Sequence, residues 1–113
     1  MQINDIRVDG VDVVAPAGRI DTTTVGALEQ RLSALLAAPR ARLVIDFSGV
    51  EYISSAGLRI LLVAARRVQQ SGGALVLCAM GDAVRQVFHL AGFVPLFTIR
   101  ETRADAVTRI ASP

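Results

Sequence analysis

The 113-residue sequence predicts an α/β domain with a mixed sheet of about five strands and α-helices packed mainly on one face. Three observations carry this expectation. Short β-branched or continuous apolar runs alternate with segments of helical period, which implies parallel strands joined by crossover helices. Asp9-Gly10 separates the first two apolar runs, and that dipeptide favours a tight hairpin. The length suits one domain around one core, so residues 1–113 are read as a single unit. The resulting element order is ββαβαβαβα.

Gln2–Val8 and Val11–Ala17 form the hairpin strands. Gly18-Arg19-Ile20-Asp21 then leads into a helix, with Asp21 or Thr22 as its N-cap. Val25, Leu28, Leu32, Leu35 and Leu36 supply the period-3.6 stripe, and Pro39 stops the helix. Leu43–Phe47 is a continuous apolar run, as expected of a buried central strand. A serine-rich turn follows, then a helix from about Ser54 to Gln70, closed by Gly72-Gly73.

Ala74–Ala79 reads as another buried strand. Gly81-Asp82 opens a third helix to about Leu90, with Val84, Val87, Phe88 and Ala91 inward and Gly92 at its end. Leu96–Ile99 reads as the last strand. A short helix from Thr102 or Ala104 to Ile110 turns Ala106, Val107 and Ile110 inward. For so short a chain, one helical layer is more economical than two.

Composition narrows the function. The hydrophobic fraction is 52% with mean hydropathy +0.49. Yet the longest strongly apolar run, Ile60–Ala65, falls far short of the roughly 20 residues a membrane-spanning helix needs. No membrane insertion is expected. The N-terminal MQINDIRVDG lacks the basic-then-apolar pattern of a signal peptide. The one cysteine, Cys78, excludes an internal disulfide framework and fits a reducing cytoplasm, the expected compartment.

The net charge is +2, and all 12 of the Lys and Arg residues are arginines, with only Arg66 and Arg67 adjacent. Aromatics are 4% and tryptophan is absent, so direct nucleic-acid binding is not expected. Gly72-Gly73 has no Walker lysine, and no Cys, His or carboxylate cluster has metal-ligand spacing. Neither cofactor nor metal is expected.

Asp46–Arg59, DFSGVEYISSAGLR, is the stretch on which function is expected to centre. It runs from a strand end through a turn into a helix. Ser54 and Ser55 fall at that helix start, where unpaired amides and the helix dipole favour an anion such as phosphate. The plainer reading is that both serines cap the helix and tighten the turn. On a helical wheel Leu58, Leu61, Leu62, Ala65 and Val68 face the core. Ala56, Arg59, Ile60, Val63, Arg66 and Arg67 lie opposite. Ile60 and Val63 are then either covered by another helix or the apolar centre of a partner site rimmed by arginines.

Ser55 lies four residues before Arg59, so the two share a helix face. A phosphate on Ser55 would meet the helix N-terminus and Arg59, leaving the fold intact or slightly more stable. An enzyme reading would make Ser55 a nucleophile with His89 as base and Asp21 or Asp46 as orienter. The G-x-S-x-G elbow is absent, and a non-enzyme is expected.

The run LVIDFSGVEYISSAGLRILL resembles the signature of STAS domains, specifically the anti-sigma-factor antagonists. GRIDTTTVGALEQRL is similar to that family's Gly-x-Leu/Ile-Asp turn and first helix. GGALVLCAMGDAVRQVFHLAGF resembles its later strand, third helix and closing Gly-hydrophobe pair. The resemblance spans nearly the whole chain and implies a STAS-type fold and a partner-switching module. In that family an unphosphorylated antagonist binds an anti-sigma factor of histidine-kinase-like ATPase fold. That partner is also a serine kinase that phosphorylates the antagonist, and a metal-dependent Ser/Thr phosphatase resets it.

The resemblance puts the phosphorylated serine at Ser55 and the turn aspartate at Asp21. It implies a partner surface of Asp21, Thr22, Ser54, Ser55, Ala56, Gly57, Arg59, Ile60 and Val63. Ser54 stands where the family often carries Asp. Ser54 then caps the helix in its place, or the domain is a non-phosphorylated adaptor of a membrane transporter or a secretion regulator.

Overall fold

A computed structural model of the chain describes residues 1–111. Strands β1 (Gln2–Val8) and β2 (Val11–Ile20) pair antiparallel, with Val8 opposite Val11. The two residues between them, Asp9 and Gly10, have φ of 52° and 78°, the left-handed pair that a type I′ hairpin turn requires. The remaining elements are α1 (Val25–Leu36), β3 (Arg42–Asp46), β4 (Val50–Ile53), α2 (Ser55–Ser71) and β5 (Ala74–Cys78). After these come α3 (Asp82–Leu90), a 3-10 turn at Val94–Leu96, β6 (Thr98–Arg100) and α4 (Arg103–Ala111).

The six-stranded sheet runs β1-β2-β3-β5-β6, and β4 pairs with β2 off this path. Every pair except β1–β2 is parallel. β2 serves two neighbours in succession. Asp12–Val14 pair with β3, and after a register shift beyond Gly18 the strand's end pairs with β4, placing Ile20 opposite Ile53. β4 is the strand the sequence pattern does not announce. Only Val50 and Ile53 of its four residues point inward, too few to make an alternating pattern.

Alternate residues of the central strands divide between two apolar layers. Val14, Leu43, Ile45 and Leu77 join Leu28 and Leu32 of α1, Leu58, Leu61 and Val68 of α2, and Val84 and Phe88 of α3. On the other face Val11, Val13, Val44, Val76 and Cys78 meet Ala106, Val107 and Ile110 of α4. The helices thus lie mainly on one face, but α4 adds a second layer where economy favoured one. The reason lies in β3, whose Val44 points away from the first layer and would otherwise meet water.

Asp46 ties α4 to the sheet. Its carboxylate accepts the Ser48 N–H at 2.8 Å and the Arg103 Nε–H at 2.8 Å. Burial alone would raise its pKa, but the Ser48 and Arg103 hydrogen bonds and the guanidinium charge outweigh it and hold the carboxyl below the ordinary carboxylate range.

Several boundaries move. Thr24, not Asp21 or Thr22, occupies the N-cap position of α1, without a side-chain cap. The last strand begins at Thr98 rather than Leu96, because Val94–Leu96 coils into the 3-10 turn. Ala91 is exposed at the C-cap of α3 rather than buried. In α2 it is Ala64 that is fully buried, while Leu62 and Ala65 are half-buried. Cys78 is buried with its thiol pushed up to about 12, first by desolvation and then by the nearby Asp46 carboxylate. It packs as a small apolar side chain.

Candidate functional site

β2 and β4 end in register, so the residues after Ile20 and Ile53 leave the sheet side by side. These are Asp21 and Ser54, and the Ser54 N–H donates to the Ile20 carbonyl at 2.8 Å. Sheet pairing therefore brings together two segments separated by more than thirty residues.

On the β2 side the chain turns through Asp21-Thr22-Thr23-Thr24. The Asp21 carboxylate accepts the Thr23 N–H at 3.0 Å and the Thr23 hydroxyl at 2.6 Å. The Thr24 hydroxyl accepts the Asp21 N–H at 3.0 Å and donates to the Arg19 carbonyl at 2.7 Å. The Thr23 hydroxyl, and then its amide, lower the pKa of Asp21, which stays ionised. Asp21 thus rigidifies this turn and does not cap α1. Thr22 is exposed between them.

On the β4 side the two serines divide the work. Ser54 has extended backbone, φ −88° and ψ 171°, and is the N-cap of α2. Its Oγ accepts the Gly57 N–H at 3.3 Å and its carbonyl accepts the Leu58 N–H at 3.0 Å. Ser55 is the first residue of α2 and is exposed. Among the described residues its hydroxyl has no hydrogen-bond partner. The amides of Ser55 and Ala56 fall in the helix's first turn, where no intrahelical acceptor exists.

Gly57 lies beneath this turn rather than on its surface. It is buried, and a Cβ there would stand 2.8 Å from Ile20 Cγ2 and 2.8 Å from Ile53 Cγ1. It thus underlies the turn and positions it from below. Ala56 is half-buried, and Arg59 is exposed without an ion pair among the described residues.

Ile60 and Val63 part company. Ile60 is half-buried and packs on the main apolar cluster, to which the neighbouring α1 contributes; Val63 is 50% exposed. Ile60 is thus partly withdrawn into the core, whereas Val63 remains an open apolar residue on that face. Two further residues extend the rim. Arg19 stacks over the Tyr52 ring at 4.4 Å, with its Nε 3.9 Å from an Asp21 carboxylate oxygen. Their juxtaposition comes from the β2–β4 register, which pairs Arg19 with Tyr52. Without a readable β4, nothing in the sequence signals it.

Among the described residues no hydrogen-bonded nucleophilic constellation accompanies Ser55. His89 is exposed on the last turn of α3, and among the described residues Ser55 is hydrogen-bonded to neither His89, Asp21 nor Asp46. Among the described residues no His, Cys, Asp and Glu cluster could hold a metal, and no helix is long and apolar enough to cross a membrane.

The fold and this surface define a small α/β domain that presents a paired turn and helix start. Residues 2–106 match the STAS domain family, and the chain belongs to that family. It is 36% identical over 102 residues to the anti-sigma-F factor antagonist RsfB of Mycobacterium tuberculosis, covering 90% of this chain and 83% of that one. It is 37% identical to an anti-sigma factor antagonist of Mycobacterium paratuberculosis, with TM-score 0.88 over 96% of this chain and 92% of that one. At 18% identity it shares the fold of the Bacillus cell fate determinant SpoIIAA in its phosphorylated form, with TM-score 0.75 over 96% and 99% of the two chains.

Proposed function

We propose that this chain is an anti-sigma-factor antagonist in a phosphorylation-controlled partner switch. With Ser55 unphosphorylated, it binds an anti-sigma factor that is also a serine kinase of histidine-kinase-like ATPase fold. Phosphate on Ser55 releases that partner, and a metal-dependent Ser/Thr phosphatase restores binding. The switch works in the cytoplasm, and the chain itself is a binding module, not an enzyme. Asp21, Thr22, Ser54, Ala56, Arg59 and Val63 form the contact surface with Ser55, supported from beneath by Gly57 and from the side by Ile60.

The observation that carries this reading is the division between the serines. Ser54 commits its hydroxyl to the helix cap, as an Asp would, and leaves Ser55 exposed and unbonded on the same surface as the Asp21 turn. A kinase needs an accessible hydroxyl, and a switch needs it inside the contact area. Phosphate there adds about two negative charges at the centre of the docking surface.

The test is incubation with ATP and each kinase-fold regulator of the source organism, with mass spectrometry of the products and Ser55→Ala in parallel. Phosphate on Ser55, lost in the variant and accompanied by weaker partner binding, is the expected result. Stable binding to a partner of another kind, a transporter ATPase for example, with no phosphate transferred, would replace this reading with the adaptor one. Phosphate on Ser54 would reassign the cap and the switch.

A further inference from the structure

β1 is an end strand of the sheet, with only β2 beside it among the described residues. Its outer edge is open, and no residue of the strand is fully buried. The type I′ turn bonds Val8 to Val11, and bonded pairs alternate from there along the hairpin. Ile6 and Asn4 therefore direct their N–H and C=O groups at β2, and those of Ile3, Asp5 and Arg7 point to the open edge. Side chains alternate as well. Asp5 pairs with Arg31 of α1, and Arg7 pairs with Asp12 of β2 at 3.0 Å, both on the face that α1 covers. Ile6 stands on the opposite face, 51% exposed.

We propose that this edge is a self-association surface, on which β1 pairs antiparallel with β1 of a second copy about a two-fold axis at Ile6. Only registers that oppose the outward-bonding residues make backbone hydrogen bonds. An axis at Asp5 would set Asp5 against its own copy, and an axis at Arg7 would set arginine against arginine, both unfavourable. An axis at Asn4 would face Asp5 with Ile3 and leave Arg7 without a partner. The axis at Ile6 sets Asp5 opposite Arg7 twice by symmetry. It also places the two Ile6 side chains in the closely spaced position between those pairs. The charges then alternate Arg31, Asp5, Arg7, Asp12 across the junction. Charged residues ordinarily protect a sheet edge from pairing, and here they disfavour the like-charge registers while favouring this one. α1 packs against β2 and α2, so its two copies stand three strand spacings apart, roughly 14 Å, without colliding. Antiparallel union turns the two Ser55 surfaces to opposite ends of the joined sheet, so the pairing is independent of the switch reading.

The test is sedimentation equilibrium of the full chain, together with amide NMR shifts on dilution. Two short strands bury less than a stable dimer needs, so a micromolar-to-millimolar monomer–dimer equilibrium is expected, with dilution shifts centred on β1. Asp5→Arg sets arginine opposite arginine, and Arg7→Asp sets aspartate opposite aspartate. Each variant alone should therefore dimerise about tenfold more weakly. An equimolar mixture of the two restores opposite charges at both positions and should recover wild-type association. Both residues are exposed, and a thermal melt of each variant checks that its fold persists. Where a variant loses its fold, the wild-type dilution shifts decide alone. A wild-type chain still monomeric at about 1 mM would overturn the proposal. So would shifts centred on another element, full association of either variant alone, or a mixture no stronger than its components.

Discussion

α2 and α3 both begin just after strands, yet the two helix starts are built differently. α2 starts on a packed foundation. Ser54 caps it, the Ser54 amide is held by Ile20, and Gly57 presses against Ile20 and Ile53. α3 starts at Gly81, which is exposed and makes no side-chain cap, and a methyl group added there would meet nothing within 4 Å. Asp82 favours the α3 dipole, and the chain is held to β6 two residues before Gly81, where the Ala79 N–H donates to the Arg100 carbonyl at 3.2 Å, rather than at the helix start itself. Of the two, the α2 start is capped by a side chain and packed from below, and the α3 start is neither.

The sharpest way to break this contrast is to add one methyl group at each start. Gly57→Ala should destabilise the domain by about 1–3 kcal/mol, because overpacking against Ile20 and Ile53 exceeds the gain in helix propensity. Gly81→Ala should cost less than about 1 kcal/mol, the difference between two cap residues with no clash. Urea titrations of both variants measure the pair. Equal costs would mean that the α2 start is no more tightly seated than that of α3.

The two strand-end carboxylates carry the same contrast to the opposite face. Asp21 sits at the surface and organises a turn, whereas Asp46 is buried and anchors α4 through Arg103. Asp46→Asn should cost about 1–2 kcal/mol at neutral pH, since it removes a charge-assisted bond to a half-exposed arginine. The folded-state pKa of Asp46 is depressed, so its ionised form stabilises the fold fully above the unfolded carboxylate value. That contribution is lost as pH falls through the lower folded value. Wild type and variant should therefore converge in stability in that acidic range, which thermal melts across pH would reveal. A constant gap at all pH values would refute the electrostatic account.

What is legible in the sequence follows from how local each signal is. Asp9-Gly10 marks its hairpin because turn chemistry is a property of two residues. The α1 stripe is readable because Leu28, Leu32 and Leu36 face one neighbour layer. β4 is not, since its stability comes from pairing with the end of β2 and not from its own pattern. The α2 wheel misses Ala64 because that helix packs against both the sheet and α1, which widens and turns its buried side. At the site, Ser54, Ser55 and Asp21 are visible as residue types. Their adjacency, and the approach of Arg19 to Tyr52, depend on a strand register that only the folded chain displays.

The finest contrast is between the neighbouring serines. Ser54→Ala should cost about 0.5–1 kcal/mol, the lower part of the range for a lost cap because the 3.3 Å bond is long. Ser55→Ala should change stability by less than about 0.5 kcal/mol, as an exposed hydroxyl with no partner among the described residues permits. On the proposed switch, phosphate on Ser55 would fall on a position whose hydroxyl makes no hydrogen bond among the described residues. Its charge meets the α2 N-terminus, an interaction of about 0.3–1 kcal/mol, and can engage Arg59 one turn on. The ionised Asp21 on the same surface opposes it. The phosphorylated chain should therefore melt at or slightly above the temperature of the unmodified one. Arg59→Gln should lower the melting temperature of the phosphorylated chain relative to the unmodified one, and Asp21→Asn should raise it. Calorimetry on each chain with and without phosphate reads these differences directly. A sharp drop in melting temperature on phosphorylation would mean that phosphate works by loosening the α2 start, and not by changing the charge of a surface that stays in place.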